Sequence, residues 1–201
     1  MEAHLKRQRD HENGVAIVKP NWPAPTHIIA GTTLRSGGVS HAPYHSLNLA
    51  THVDDLLDNV MRNRARLEYA VRQLNPLQAD TTEQSPLSWQ WLNQTHSSCV
   101  IALPESNHLA LKKPNDAAIS RQANTVCVVL TADCLPILVT DREGSQVAAI
   151  HAGWRGLCGG VVANTINALQ KNSPTAQPEL IAWLGPCIRQ SHYEVGGDMR
   201  K

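Results

Sequence analysis

TVCVVLTADCLPILVTDREGSQVAAIHAGWRG, residues 125–156, holds two nearly continuous apolar runs of strand length, Thr125 to Leu130 and Val147 to Ile150. Runs that lack polar alternation read as strands covered on both faces. Between them Cys134-Leu135-Pro136 leads into ILVT and then DREGS, a polar turn that returns the chain toward the strand carrying His151. The flanking segments supply helices to cover such a sheet. Downstream, Leu157 to Gln170 brings Leu157, Val161, Val162, Ile166 and Leu169 onto one helical face. Upstream, SLNLATHVDDLLDNVMRNRARLEYAVRQL places Asp54 or Asp55 near an N-cap, repeats Leu57, Val60, Leu67, Val71 and Leu74 at helical spacing, and stops at Asn75-Pro76. A short strand, His27 to Thr33, follows a proline-punctuated segment and ends at the Gly37-Gly38 turn. The stretch through Ser85-Pro86 is polar and turn-rich, SWQWLNQTH resumes ordered structure, 172–178 reads as a loop, and LIAWLGP is a further strand and turn. Interleaved strands and helices predict an α/β or α+β fold with mixed β-sheets flanked by helices.

With 201 residues, 42% hydrophobic and 17% charged, the chain is long enough to bury the core of one domain. A net charge of +1 gives no electrostatic footprint for nucleic acid or an anionic membrane. LKRQR belongs to a polar stretch, residues 1–14, expected to be a flexible tail. No apolar h-region opens the chain, and no segment approaches the roughly 18 to 20 apolar residues needed to span a bilayer, so a cytoplasmic protein is expected. Five cysteines at irregular spacing, with no CxxC pair, exclude a disulfide framework and a four-cysteine zinc knuckle. Nothing in the sequence reports on oligomeric state.

Chemistry concentrates on His96 in NQTH, Cys134 in TADCLP and His151 in HAGWRG. One thiolate and two imidazoles suit an open zinc site, in which a fourth position holds a water whose pKa the metal lowers to about 7. The same residues also have plainer readings, as a surface histidine, a packed thiol and a turn histidine, and spacing alone favours these. Gly153, Arg155 and Gly156 stand just before a helix, where backbone N–H groups and a guanidinium form an anion-binding corner suited to phosphate; an ion pair and a tight turn explain them equally well. Arg35 and Ser36 are a second anion-binding pair of the same kind. Asn48 can hydrogen-bond a ribose or base edge, or simply stabilise its loop. Asp133 points away from Cys134 in an extended segment, whereas a turn at Pro136 brings it back as an acid/base or as a partner behind the ligand.

NWPAP, TTLRSGGVS, YHSLNLATHVDD, NRARL, NQTH, TADCLPILV, HAGWRG and YEVG stand in this order along most of the chain. In these motifs the sequence resembles the YfiH-like, or laccase-domain, proteins, described as zinc-dependent purine nucleoside phosphorylases. The resemblance implies a YfiH-like architecture and zinc held by His96, Cys134 and His151. It further implies phosphorolysis of inosine, guanosine, adenosine and methylthioadenosine, with phosphate as co-substrate, and deamination of adenosine. Members of the family continue past the position of GGDMRK through another helix and an SYRR-like segment. Residues 1–201 are therefore expected to form a single YfiH-like domain with its C-terminal part missing and its activity weakened. Ser97-Ser98 follow His96 where members commonly have glycine, and Ser191-His192 stand where many have a cysteine before the tyrosine.

Two other readings use the same residues. A copper-binding polyphenol oxidase, the older label of this family, needs several copper sites built on His-X-His pairs, and none occurs among the ten histidines. Copper binding in vitro is nonetheless expected, because copper outranks zinc in intrinsic affinity. A cysteine hydrolase or amidase would use Cys134 as the nucleophile, paired with His151 or His96, without metal.

Overall fold

The computed structural model describes residues 7–9, 14–74, 86–171, 173 and 177–196. In chain order the strands are β1 (Arg7–Arg9), β2 (Ala16–Val18), β3 (Thr32–Thr33), β4 (Ser88–Gln90), β5 (Val100–Leu103), β6 (Ala117–Ser120), β7 (Thr125–Cys127), β8 (Leu135–Asp141), β9 (Val147–Ala152) and β10 (Leu180–Leu184). The helices are α1 (Leu57–Gln73), α2 (His108–Lys112), α3 (Trp154–Cys158) and α4 (Val161–Lys171). A short 3-10 turn covers Gln190–His192.

The hairpin read around DREGS is central: β8 and β9 pair antiparallel inside a five-strand mixed sheet of order β10-β8-β9-β6-β5, in which only β5 and β6 run parallel. Two small sheets, β1-β2-β3 and β4-β7, complete a mixed α/β fold. Helix α4 turns Val161, Thr165 and Leu169, spaced by four residues, onto the sheet, where they meet the enclosed side chains of Ile119, Val139 and Ile150. Helix α1 buries Leu67 and Ala70 against Val15, Ile17, Leu47 and Leu49, with Trp89 and Trp91 at the margin. Its fully buried Asn63 accepts from the Val39 N–H and donates to Ser40 Oγ and to the carbonyls of Ser46 and Asn48, so one amide ties the 39–48 loop to the helix.

Several sequence expectations are corrected. The strand read over Thr125 to Leu130 stops at Cys127 and lies in the small β4-β7 sheet, because the Gln94 side chain takes both the N–H and the carbonyl of Leu130, where pairing would have continued. The single helix from Leu157 to Gln170 is two, broken at Gly159-Gly160, where Gly160 adopts φ +86°, and Leu157 is 45% exposed. Of His27 to Thr33, only Thr32–Thr33 is strand, the Ile28 N–H being turned back to the Pro25 carbonyl. Neither Asp54 nor Asp55 caps α1; its N-cap is Leu56, without a side-chain cap, and Leu57 is exposed rather than on the buried face. Pro136 lies within β8 rather than ending a strand, at the second position, and its carbonyl accepts from the Gly185 N–H. Arg7–Arg9, read as tail, pairs with β2. The rest of residues 1–13, the 75–85 stretch with Asn75-Pro76, and residues 172, 174–176 and 197–201 lie outside the described residues. Among the described residues no helix is long and apolar enough to cross a membrane.

Candidate metal centre

His151 is the penultimate residue of β9 and is 5% exposed. Cys134 directly precedes β8, and because Leu135 pairs with Ala152 and Pro136 with His151, the register carries the sulfur to the same sheet end as the imidazole. His96 arrives from the loop after β4, held alongside residues 114–116 by the Asn93–Pro114 bridge and the Asn115 N–H bond to the Asn93 carbonyl. The His96 Nε2 lies 3.8 Å from Cys134 Sγ, and the two imidazole centroids are 4.8 Å apart at 63°. One donor atom from each of the three residues falls within 4.8 Å of the others. Tetrahedral zinc, with bonds of about 2.0–2.3 Å, spaces its ligand atoms by about 3.3–3.6 Å. The set therefore fits a metal ion after small side-chain movements. His151 forms a buried floor, Cys134 is half-buried and His96 is exposed, so the centre opens to solvent on one side.

Asp116, just before β6, organises this arrangement and was not singled out from the sequence. It is fully buried, and its carboxylate accepts from the N–H groups of Thr95 (3.1 Å), His96 (3.0 Å) and Ser97 (2.6 Å), from Ser97 Oγ (2.7 Å), and from His151 Nδ1 (2.8 Å). The Asp116 carbonyl also takes the His151 N–H at 2.7 Å. Wrapping the 95–97 backbone around one carboxylate gives His96 a φ of +60°, in the left-handed region that non-glycine residues rarely occupy. Burial pushes the Asp116 carboxyl up, but hydrogen bonds from His151, Ser97 and the backbone outweigh it and leave the group below the usual carboxylate range. The signal available was an acid opening the apolar run AAI in PNDAAIS; next to Pro and Asn it reads as a turn.

Gly153 closes the site from below as the N-cap of α3. A Cβ there would lie 2.5 Å from His96 Cδ2 and 3.1 Å from Cys134 Sγ, so the cradle is shaped by a missing side chain. Asp133 sits in a bend over residues 132–134 at an exposed position, and its charge bears on the Cys134 thiol. Burial, then the charge and hydrogen bond of Asp133, then the charge of Asp116, push the Cys134 thiol up. A cation at the centre would offset all three influences.

The remaining sequence-predicted residues are placed differently. Of Gly153, Arg155 and Gly156, only Gly153 precedes a helix, as the N-cap of the five-residue α3; Arg155 and Gly156 lie inside it, where Arg155 stacks its guanidinium 4.6 Å above Trp154 and Gly156 is buried beside the Ser97 carbonyl. Arg35 and Ser36 line, with His45 and Ser46, a cavity of about 240 Å³; a neighbouring cavity of about 360 Å³ is bounded by Gly38, Ser40, His41 and His45. Neither cavity is lined by His96, Cys134 or His151. Asn48 spends its side chain within the loop, donating to Asp55 and to the Ala50 carbonyl and accepting from the Ala50 N–H. The Ile188 N–H bonds the Asp133 carbonyl, which runs the Cys187 segment beside the centre, while His192 is exposed and bonded to Ser191.

The chain is 41% identical over 186 residues to purine nucleoside phosphorylase YfiH of Escherichia coli, covering 92% of this chain and 69% of that protein. It is 44% identical over 183 residues to a purine nucleoside phosphorylase of Haemophilus influenzae, covering 90% and 67% respectively. The crystal structure of protein NMB0706 from Neisseria meningitidis superposes with a TM-score of 0.75 at 40% identity, over 92% of this chain and 68% of that one. Residues 29–201 match the family model described as multi-copper polyphenol oxidoreductase laccase, and the chain belongs to that family, the YfiH-like laccase-domain proteins.

Proposed function

We propose that this chain is a zinc-dependent purine nucleoside phosphorylase that cleaves inosine, guanosine, adenosine and methylthioadenosine with phosphate, and that it also deaminates adenosine. The observation that carries the reading is the convergence of His96, Cys134 and His151 on a centre open on one side, in a chain whose relatives at 41% and 44% identity bear the name purine nucleoside phosphorylase. His96, Cys134 and His151 hold the ion. Bound zinc supplies Lewis acidity and a water of lowered pKa. Asp133, exposed at the rim directly before Cys134, is the group able to hold or move a proton beside the substrate. Arg155 lies two residues from Gly153, which packs on two of the ligands, and offers its exposed guanidinium to phosphate; Arg35 and Ser36 offer a second anion contact. Asn48 contributes by holding the 48–55 segment through its bonds to Ala50 and Asp55. The five unpaired cysteines suit a cytoplasmic location.

A polyphenol oxidase of the multicopper kind needs more than one metal cluster, and among the described residues one such group of His, Cys and acidic side chains is found. The phosphorylase reading is tested by incubating the purified protein with inosine, with and without inorganic phosphate, and measuring hypoxanthine. Release that requires phosphate and disappears in Cys134→Ala is expected. No release, or release indifferent to both phosphate and Cys134, contradicts it.

A further inference from the structure

We propose that Asp116 is the positioning residue that makes the two histidines one unit, its carboxylate holding the left-handed backbone at His96 while selecting the His151 tautomer whose Nε2 lone pair faces the centre. This rests on the reading that His96, Cys134 and His151 bind a metal. The two oxygens divide the work: Oδ1 takes His151 Nδ1 and the His96 N–H, and Oδ2 takes the N–H groups of Thr95 and Ser97 and the Ser97 hydroxyl. An ionised carboxylate only accepts, so the ring nitrogen facing it must carry the proton, and the other ring nitrogen must be the free donor. Asp116 is fully buried, so water does not substitute for any of these five bonds. Ser97 adds its hydroxyl to the same oxygen as its own N–H.

The chemistry of an amide at this position makes the role separable from packing. Asp116→Asn keeps the shape but has one accepting oxygen and one donating NH2. If the oxygen takes the place of Oδ2, with the Thr95 and Ser97 amides, the NH2 faces both the His96 N–H and His151 Nδ1, and the proton on that ring moves to Nε2, closing the lone pair needed at the centre. If the amide flips, His151 keeps its tautomer and the His96 N–H its acceptor, but the Thr95 and Ser97 amides on either side lose theirs and the left-handed turn at His96 is loosened. Either way one of the three ligands is disturbed.

Two measurements test this. In metal-free wild-type protein labelled with 15N-histidine, long-range proton–nitrogen correlation reads the His151 tautomer, expected to be Nδ1–H. Co2+ titration against a competing chelator, followed by the thiolate charge-transfer and d–d bands, reads affinity. Asp116→Asn is expected to bind Co2+ about 10- to 100-fold more weakly, as outer partners of ligating histidines generally do when replaced. Asp141→Asn, which removes another buried carboxylate in the β8–β9 turn, is expected to leave Co2+ affinity unchanged. An Nε2–H tautomer in the wild type, or wild-type Co2+ affinity in Asp116→Asn, overturns the proposal. If the wild type itself fails to bind Co2+, the metal reading falls, and the tautomer still judges the part given to Asp116.

Discussion

Replacing Gly153 by alanine separates site geometry from fold stability. The backbone there has φ −69° and ψ 159°, an ordinary extended conformation for alanine, so the substitution brings no dihedral strain. The new Cβ would lie 2.5 Å from His96 Cδ2, 3.2 Å from its Nε2 and 3.1 Å from Cys134 Sγ, whereas ordinary contact begins at 3.4 Å. The His96 ring must therefore retreat by about 0.9 Å and the sulfur by about 0.3 Å, against a tolerance of about 0.2 Å for a metal–ligand bond. His96 is exposed and can swing outward, so the cost to folding should stay near or below about 1 kcal/mol, a shift in Tm of about 2–4 °C. Metal affinity should fall by at least the factor of about 10–100 seen when a ligating shell is disturbed. Scanning calorimetry measures the first quantity, and competition for Zn2+ with a chromophoric chelator the second. Gly160→Ala should show the reverse pattern: nothing lies within 4 Å of its Cβ position but φ is +86°, so about 1 kcal/mol of stability is lost and affinity is kept. Wild-type zinc affinity in Gly153→Ala would refute the idea that this glycine shapes the centre.

Three further outcomes are expected. Burial pushes the Cys127 thiol up to about 12, so iodoacetamide followed by mass spectrometry should label the exposed Cys99 and Cys158 in folded protein and leave Cys127 unmodified until denaturant is added; equal labelling would contradict its placement. Leu169→Ala opens a cavity under α4 at a fully enclosed position and should cost about 2–5 kcal/mol, read as a lower urea midpoint at unchanged m-value. Hydrogen bonds from Ser40, Asn48 and the Leu56 N–H hold the Asp55 carboxyl below its ordinary range. Because the folded value is the lower one, its hold on the 40–56 loop is complete above the ordinary carboxylate pKa and is lost as pH falls through the folded value. Amide exchange at Ala50, corrected for intrinsic rates, should rise on acidification in the wild type but not in Asp55→Asn.

The parts of the fold legible in the sequence were those with long, uninterrupted signals. Val147 to Ile150 and the DREGS turn specified the β8–β9 hairpin, and Val161, Ile166 and Leu169 specified α4. Strands β5 and β6 were missed because VIAL and AAIS are four residues long and alanine carries no β preference. Thr125 to Leu130 was overread because a distant side chain, Gln94, takes the backbone groups of Leu130, which no local pattern records. In the site, the three candidate ligands, which the structure brings within 4.8 Å of one another, were recognisable in NQTH, TADCLP and HAGWRG, but Asp116 was not. An acid after Pro-Asn resembles an exposed turn, and only the tertiary fold turns three backbone amides and a histidine onto it. Asn48 and Asp55 illustrate the converse: residues that looked ready for substrate or for a helix cap are bonded to each other.

X-ray absorption at the zinc K-edge, on protein purified without added metal, reads the ligand set most directly. One sulfur at about 2.3 Å and two nitrogens at about 2.0–2.1 Å are predicted, with the sulfur shell lost in Cys134→Ala. Protein free of zinc, or a zinc shell that contains no sulfur, would contradict a centre built from His96, Cys134 and His151.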